Sequence, residues 1–301
     1  MPPTGHAVKR GALRRNLTGH AFFFPFLVVF GIGVAAPLAY AFRLSLYEDR
    51  MIGGTVFVGF DNYSKALSDH LFSAGLARVA LFFAIQVPLM LTLSLLAALA
   101  IDSGRLRGAS LFRVGIFVPY AVPGVVAALM WGYIYGDRFG LAAEVGDLLG
   151  TELPDLLSPD WMLASIGNVV TWSYVGYNMM ILYAALRAIP EELYEAAEMD
   201  GAGVFRTAWS IKLPALKPAL LLATTFSVIG SFQLFNEPSI LQTLAPASVP
   251  TNYTPNLYAY NLAFSGRQFN YSAAIAVVLG VVTVFVAYLV QLATARRERM
   301  Q

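Results

Sequence analysis

Along the 301-residue chain, long apolar stretches alternate with short polar ones. The apolar stretches lie near 21–42, 79–101, 114–135, 162–186, 219–241 and 273–292, and Glu237 is the only charged residue among them. Each is long enough to cross a hydrocarbon layer of about 30 Å as an α-helix. A chain in that layer must satisfy its backbone polar groups internally, so the pattern predicts six helices rather than loops. No polar segment between them exceeds about 36 residues, which leaves no room for a separate soluble domain. The predicted architecture is an all-α polytopic membrane protein with six transmembrane helices. It has a tail 1–20, a six-span domain 21–292 that includes a polar loop 187–218, and a second tail 293–301.

Composition narrows the function. Hydrophobic residues make up 57% of the chain and charged residues 13%, against about 25% charged in soluble domains. The net charge is +2 and the basic residues are scattered, so no nucleic-acid surface is indicated. Absence of cysteine excludes disulfides, thiol catalysis and Cys-ligated metals. His6, His20 and His70 all lie outside the apolar stretches, so no histidine-based catalytic or metal site sits within the membrane. None of Lys9, Lys65, Lys212 and Lys217 follows a glycine, so no phosphate-binding P-loop can be written. The spans also lack the charge pairs of ion-coupled carriers, and no internal repeat stands out. What remains is a passive channel, or a subunit whose energy comes from another chain.

Lys9, Arg10, Arg14 and Arg15 precede the first stretch, which is longer than the roughly 7 to 15 residues of a signal-peptide core and is expected to be a retained span. Fourteen of the 20 Lys and Arg residues fall on the side of the two tails and of the loops 102–113 and 187–218, which predicts both termini in the cytoplasm. Loop 136–161 agrees, with Asp137, Glu144, Asp147, Glu152, Asp155 and Asp160 against a single Arg138. Arg296, Arg297 and Arg299 are placed to meet anionic lipid. Prolines occur within or beside spans at Pro25, Pro37, Pro88, Pro119 and Pro123. The cluster from Pro119 to Gly124 should kink or open the third span, as a static bend or as a hinge.

The loop 187–218 carries the most specific signal. Pro190 at a first helical position, followed by Glu191 and Glu192, is a sound helix start, and Gly201 suits its end in a left-handed conformation. A second short helix is expected through Val204, Phe205, Ala208 and Trp209 to Ile211, closed by Leu213-Pro214. Glu191, Glu195 and Glu198 share one edge of the first helix, either as a solvated face or as a face complementary to a basic partner groove. The sequence Glu195-Ala196-Ala197, three residues, Gly201, nine residues, Ile211, one residue, Leu213-Pro214 resembles the EAA loop of ATP-binding-cassette importer permeases at every fixed position. That resemblance implies the type I importer permease fold. It also implies a coupling role for Glu195, Ala196, Ala197, Asp200, Gly201, Ile211, Leu213 and Pro214 against an ATP-hydrolysing subunit.

Further residues are similar to the first permease of maltose- and glycerol-phosphate-type carbohydrate importers. They are Gly59-Phe60-Asp61-Asn62-Tyr63, Phe112-Arg113, Pro119-Tyr120, Pro123, Trp131, Glu192-Leu193-Tyr194 and Asp200-Gly201-Ala202. The maltose-type subunit has eight spans where this chain has six. The resemblance implies a non-catalytic subunit of the prokaryotic cytoplasmic membrane. Its expected partners are a second homologous permease, two copies of the ATPase and an extracytoplasmic substrate-binding protein. No cofactor or metal is expected on this chain; ATP and Mg belong to the partner ATPase.

A solute path is sought among polar and aromatic residues within spans. Tyr174, Tyr177 and Asn178 share a helical face in the fourth span, and Ser231, Gln233, Asn236 and Glu237 offer a second set in the fifth, where the last three are expected to share a face in the same way. Amides suit sugar hydroxyls and aromatic rings suit sugar C–H faces, although interhelical packing uses the same residue types. Gln86, Asn168, Thr171, Trp172, Ser173 and Ser227 complete the polar inventory, while Tyr40, Trp131, Tyr133 and Tyr135 are expected as interfacial belt residues. A facilitator without a nucleotide-binding partner and a membrane scaffold are the competing readings.

Overall fold

The computed structural model describes residues 23–136, 140–150 and 154–299. The tail 1–20 with its four basic residues, and Asp137, Arg138 and Glu152, lie outside the described residues. Helix α1 (Phe23–Ser45) leads into an antiparallel hairpin, β1 (Tyr47–Arg50) and β2 (Gly54–Phe57), pairing Tyr47 with Phe57 and Arg50 with Gly54. Short α2 (Asp61–Ser68) and long α3 (His70–Asp102) follow. Then come α4 (Ala109–Ala121, its last turn a 3-10 turn) and α5 (Gly124–Ile134), bent by 99° where they meet. The remainder is α6 (Leu141–Leu149), α7 (Met162–Leu186), α8 (Glu191–Met199), α9 (Val204–Ala215), α10 (Lys217–Phe232), α11 (Asn236–Leu244), α12 (Pro255–Phe264) and α13 (Phe269–Arg299).

Among the described residues, helices α1, α3, α7 and α13 are long and apolar enough to cross a membrane, and counting each bent pair, α4 with α5 and α9 with α10, as one span brings the total to six. The predicted spans are recovered with two differences, and the third span is opened at its proline cluster as expected. Helix α3 starts at His70 rather than near residue 79, because Asp69 caps it with hydrogen bonds from the Leu71 (2.8 Å) and Phe72 (3.4 Å) amides. A cap fixes where a helix begins; hydropathy marks only where it turns apolar. The third span is opened at Val122-Pro123, since Val122 is pushed into an extended conformation by the proline that follows. The expected continuous helix over 219–241 is broken after Phe232. Pro238 has no amide proton and its ring crowds the Leu234 carbonyl, which weakens a helix through 234–238; α3 runs on through Pro88, but here the chain breaks and restarts with Pro238 in the first turn of α11.

The core is built on α3 and α7, which pack along each other. At one end Ala98 and Ile101 of α3 meet Met179, Leu182 and Leu186 of α7 around buried Leu216. Near the other end Phe82, Met162 and Ile166 pack with Leu241, Tyr253 and Leu257. Helix α10 joins α3 and α13 through Val79, Val228, Phe232 and Leu279. Helix α1 packs on α13 but leaves the flank of its apolar window exposed. Its C-terminal end is held by polar contacts: Asn62 Nδ2 donates to the Ser45 and Tyr47 carbonyls (2.9 and 2.8 Å), and Asn270 Nδ2 to the Leu44 carbonyl (3.2 Å).

Asp69 gathers three elements at one point. Its second carboxylate oxygen accepts from the Tyr258 (2.8 Å) and Tyr271 (2.6 Å) hydroxyls of α12 and α13 while the first caps α3. Burial works against the charge, but the bonds from Tyr271, Tyr258, Leu71 and Phe72 outweigh it and hold the carboxyl below its ordinary value of 3.8. The stabilisation is therefore complete above that value and lost as pH falls through the lowered one. Asp69→Ala should cost about 2 kcal/mol through the lost cap and charge-assisted hydrogen bonds. A lowered thermal unfolding midpoint in detergent at neutral pH, with the difference from wild type shrinking in strong acid, checks this.

Candidate functional site

Two features are attached to the same helices, α3, α7 and α10. The first is the segment from Pro190 to Leu216. Pro190 stands one residue earlier than expected, as the N-cap of α8, with Glu191 and Glu192 in the first turn, where acids favour the positive end of the helix dipole. Helix α8 ends in a Schellman motif: the Gly201 amide donates to the Glu198 carbonyl (2.9 Å) and the Ala202 amide to the Ala197 carbonyl (2.8 Å). The geometry requires a left-handed residue, and Gly201 has φ +72°. Nothing lies within 4 Å of a Cβ added there, so the demand for glycine comes from backbone conformation and not from space. The second helix does not close at Leu213-Pro214 as expected; α9 continues to Ala215 and turns by 61° at Leu216 into α10.

The faces of this segment divide cleanly. Glu191, Glu195 and Glu198 are exposed along one edge, next to exposed Leu193, Met199, Phe205 and Trp209, with Phe205 94% accessible. On the side toward the bundle, Leu216 is fully buried, Ile211 and Leu213 are half-buried, and Lys212 Nζ lies 2.5 Å from Asp102 Oδ2 at the end of α3. Half-buried Tyr194 packs with its ring 5.3 Å from the Lys212 ammonium, and burial, then the nearby Asp102 charge, pushes its phenol pKa up. The segment is therefore fixed to the bundle on one side and presents large apolar and acidic side chains on the other.

The second feature is a cavity of about 280 Å³ between α3, α7, α10 and the start of α11. All seven of the expected path residues, Tyr174, Tyr177, Asn178, Ser231, Gln233, Asn236 and Glu237, line it. They arrive there differently from the expectation. Gln233, Asn236 and Glu237 do not share a helical face; they straddle the break between α10 and α11, and the carbonyls freed there are met by Thr254 Oγ1 on Leu234 (3.0 Å) and Asn256 Nδ2 on Phe232 (3.4 Å). Among the described residues, the Gln233 and Asn236 amides form no side-chain hydrogen bond and face open space, whereas the Ser231 hydroxyl donates to the Ser227 carbonyl (2.8 Å). Asn178 Nδ2 donates to the Tyr174 carbonyl (3.1 Å), and Gln86 Nε2 to Thr171 Oγ1 (3.3 Å).

Phe82, Met90, Phe226, Gly230 and Phe235 also line the cavity and carry no polar signal that would mark them in the sequence. Tyr120, from the opened third span, stacks on Tyr177 with centroids 4.7 Å apart and meets Tyr174 edge-on at 5.8 Å, extending the aromatic wall. Of the expected belt residues, Tyr40 and Tyr133 are exposed, but Tyr135 is buried, accepting from Asn168 Nδ2 (2.7 Å) and donating to the Ser165 carbonyl (3.3 Å). Trp131 packs on Tyr135 and Trp172. These two side chains face inward because polar and aromatic partners on α7 are within reach.

Helix α7 reaches Tyr120 only because of Gly176. A Cβ there would collide with the Ile116 carbonyl oxygen and lie 2.7 Å from Phe117 Cα, so α4 and α7 touch backbone to backbone. Gly176→Ala should destabilise the bundle by roughly 1–3 kcal/mol or more and disturb the Tyr120–Tyr177 stack. Gly115→Ala, where nothing lies within 4 Å, serves as a control that leaves the thermal midpoint in detergent unchanged or raised.

Comparison with known proteins bears on both features. The family described as "Binding-protein-dependent transport system inner membrane component" matches residues 90–300. The chain is 35% identical over 300 residues to the diacetylchitobiose uptake system permease protein of Streptomyces coelicolor, covering 92% of this chain and 84% of that one. It is 31% identical to the lactose transport system permease protein of Rhizobium radiobacter, covering 96% and 98%. Its fold is similar to that of a chain in the solved structure of a bacterial ATP-binding-cassette transporter for import of the acidic polysaccharide alginate, with a TM-score of 0.81, 17% identity and coverage of 95% and 98%.

Proposed function

The chain belongs to the family of binding-protein-dependent transport system inner membrane components, and from that premise we propose how it works: as one half of a solute path driven through its 190–214 segment. It is a multi-pass permease subunit of an ATP-binding-cassette importer, and the ATP-hydrolysing subunit is a different chain. In the proposed assembly a second homologous permease completes the path, two ATPase copies bind ATP and Mg, and an extracytoplasmic binding protein delivers the solute. Both termini and the 187–218 loop face the cytoplasm, as the placement of Lys and Arg supports.

The exposed edge of α8, with Glu195, Ala196 and Ala197, docks on the ATPase together with Leu193, Met199, Phe205 and Trp209, which would otherwise stand in water. Closure of the ATPase pair on ATP moves the segment as a lever, and α10 passes that movement to the cavity. The solute is a sugar, oligosaccharide or related polyol. Stacked Tyr174, Tyr177 and Tyr120 offer faces for sugar C–H groups, and the uncommitted Gln233 and Asn236 amides offer donors and acceptors to hydroxyls. The carbohydrate systems named for the relatives support the same class.

The observation that carries this reading is the convergence of all seven path candidates on one cavity whose helices also anchor the 190–214 segment. A tagged pull-down from native membranes in mild detergent tests it. Wild type should recover an ATPase and a second permease. Glu195→Arg should lose the ATPase at least tenfold by reversing the docking edge. Gly201→Val, which forces a β-branched residue into a left-handed conformation at about 1–2 kcal/mol, should lose it similarly while the second permease stays. A chain that purifies alone, with the variants indistinguishable, would contradict the proposal and return the facilitator reading.

A further inference from the structure

Asp102 is the last residue of α3, where the negative end of the helix dipole disfavours an acid. It is also nearly buried, its side chain 7% exposed, beside Ile101 and Leu216 in the apolar cluster that closes this end of the bundle. Only Lys212, with a side chain 15% exposed, forms an ion pair with it among the described residues. A buried pair of this kind adds little net stability compared with apolar residues of similar size, so its contribution is the register it fixes between two elements. Here the elements are the end of α3 and the 190–214 segment, which are 110 positions apart in sequence. Tyr194, next to Glu195 on α8, packs against the same lysine, so both helices of the segment converge on Asp102.

Helix α3 also reaches the cavity, through Phe82, Gln86 and Met90. These residues flank Pro88, where the proline removes one helical hydrogen bond and leaves a natural point of flexure. The segment therefore has two physical routes to the cavity. One is covalent, through the bend at Leu216 into α10; the other is the Asp102–Lys212 contact into α3.

We propose that the Asp102–Lys212 pair is a positioning joint that transmits displacement of the coupling segment to α3, so that the α3 and α10 walls of the cavity move together. This rests on the importer reading above. Without the joint, ATP would still move the α10 wall, and the α3 wall would lag.

The absence of cysteine in the chain makes the test direct. In the assembled complex with its ATPase and second permease, one cysteine reporter is placed on the α3 wall (Phe82→Cys) and, separately, one on the α10 wall (Ser227→Cys). Labelling by a small thiol reagent is timed with and without ATP under conditions that block hydrolysis. In the parent complex both rates should change at least fivefold on ATP. With Asp102→Asn the α3 reporter should lose that change and the α10 reporter keep it, with ATPase recovery and basal ATP hydrolysis within twofold; Lys212→Gln should give the same selective loss at the α3 reporter. The exchanged pair, Asp102→Lys with Lys212→Asp, should restore at least half of the α3 response. An α3 response that survives both single variants overturns the joint, as does parallel loss at both reporters or an exchange that restores nothing. If neither reporter responds to ATP in the parent complex, the importer reading fails, and the joint with it.

Discussion

The cavity depends on the break between α10 and α11, which Pro238 favours by removing the hydrogen bond back to the Leu234 carbonyl. Had α10 continued to Leu241, its polar residues would project from a regular helix whose backbone is closed to a solute. Instead the helix stops at Phe232, the chain bends, and Gln233, Asn236 and Glu237 are carried to one wall of a cavity. Such a break survives in a membrane only if its freed carbonyls find donors. Thr254 and Asn256 supply them, which ties the N-terminal end of α12 to the cavity as a supporting layer.

The same demand for internal hydrogen bonding sorts the polar residues within the spans. Ser94, Thr224, Thr225, Ser227, Ser231 and Thr283 each donate to a carbonyl four residues back, so their hydroxyls are committed as donors. Asn168 is committed to Tyr135 and Gln86 to Thr171. Gln233 and Asn236 are left with amides free to serve a solute, beside a wall formed by Tyr174, Tyr177 and Tyr120. At the opposite pole, the 190–214 segment commits its inner side to Leu216 and Asp102 and leaves its outer side for a partner. In the proposed assembly one bundle thus holds a surface for energy input and a surface for solute, joined by α3 and α10.

Hydropathy and charge in the sequence located the long spans, because apolar runs stop where charges begin. The ends of α8 were legible in Pro190, Glu191, Glu192 and Gly201, because each has a local backbone or dipole reason to stand there. The cavity residues were found as a set but for an incomplete reason. No charge interrupts the run from Ala219 to Asn236, while Pro238 acts backwards on the carbonyl four residues earlier and so hides the break from a hydropathy reading. Tyr135 and Trp131 look like interfacial residues until Asn168 and Trp172 are seen beside them. The bend of the third span was legible in its prolines; that it would bring Tyr120 onto Tyr177 depended on Gly176, which has no chemistry of its own to notice. Asp102 and Lys212 were silent because Asp102 falls in no motif, Lys212 fills the unfixed position between Ile211 and Leu213, and only the fold makes them neighbours.

The central claim is that this chain moves solute only as half of an ATP-driven assembly. The measurement that tests it most directly is flux of labelled neutral disaccharides into liposomes. Vesicles holding the purified chain alone are compared with vesicles holding the chain, its second permease and its ATPase, with the binding protein outside and ATP inside. The account predicts no flux from the chain alone and accumulation of at least one disaccharide in the assembly that stops when ATP is withheld. Flux from the chain alone, unchanged by ATP and by the partner chains, would contradict it.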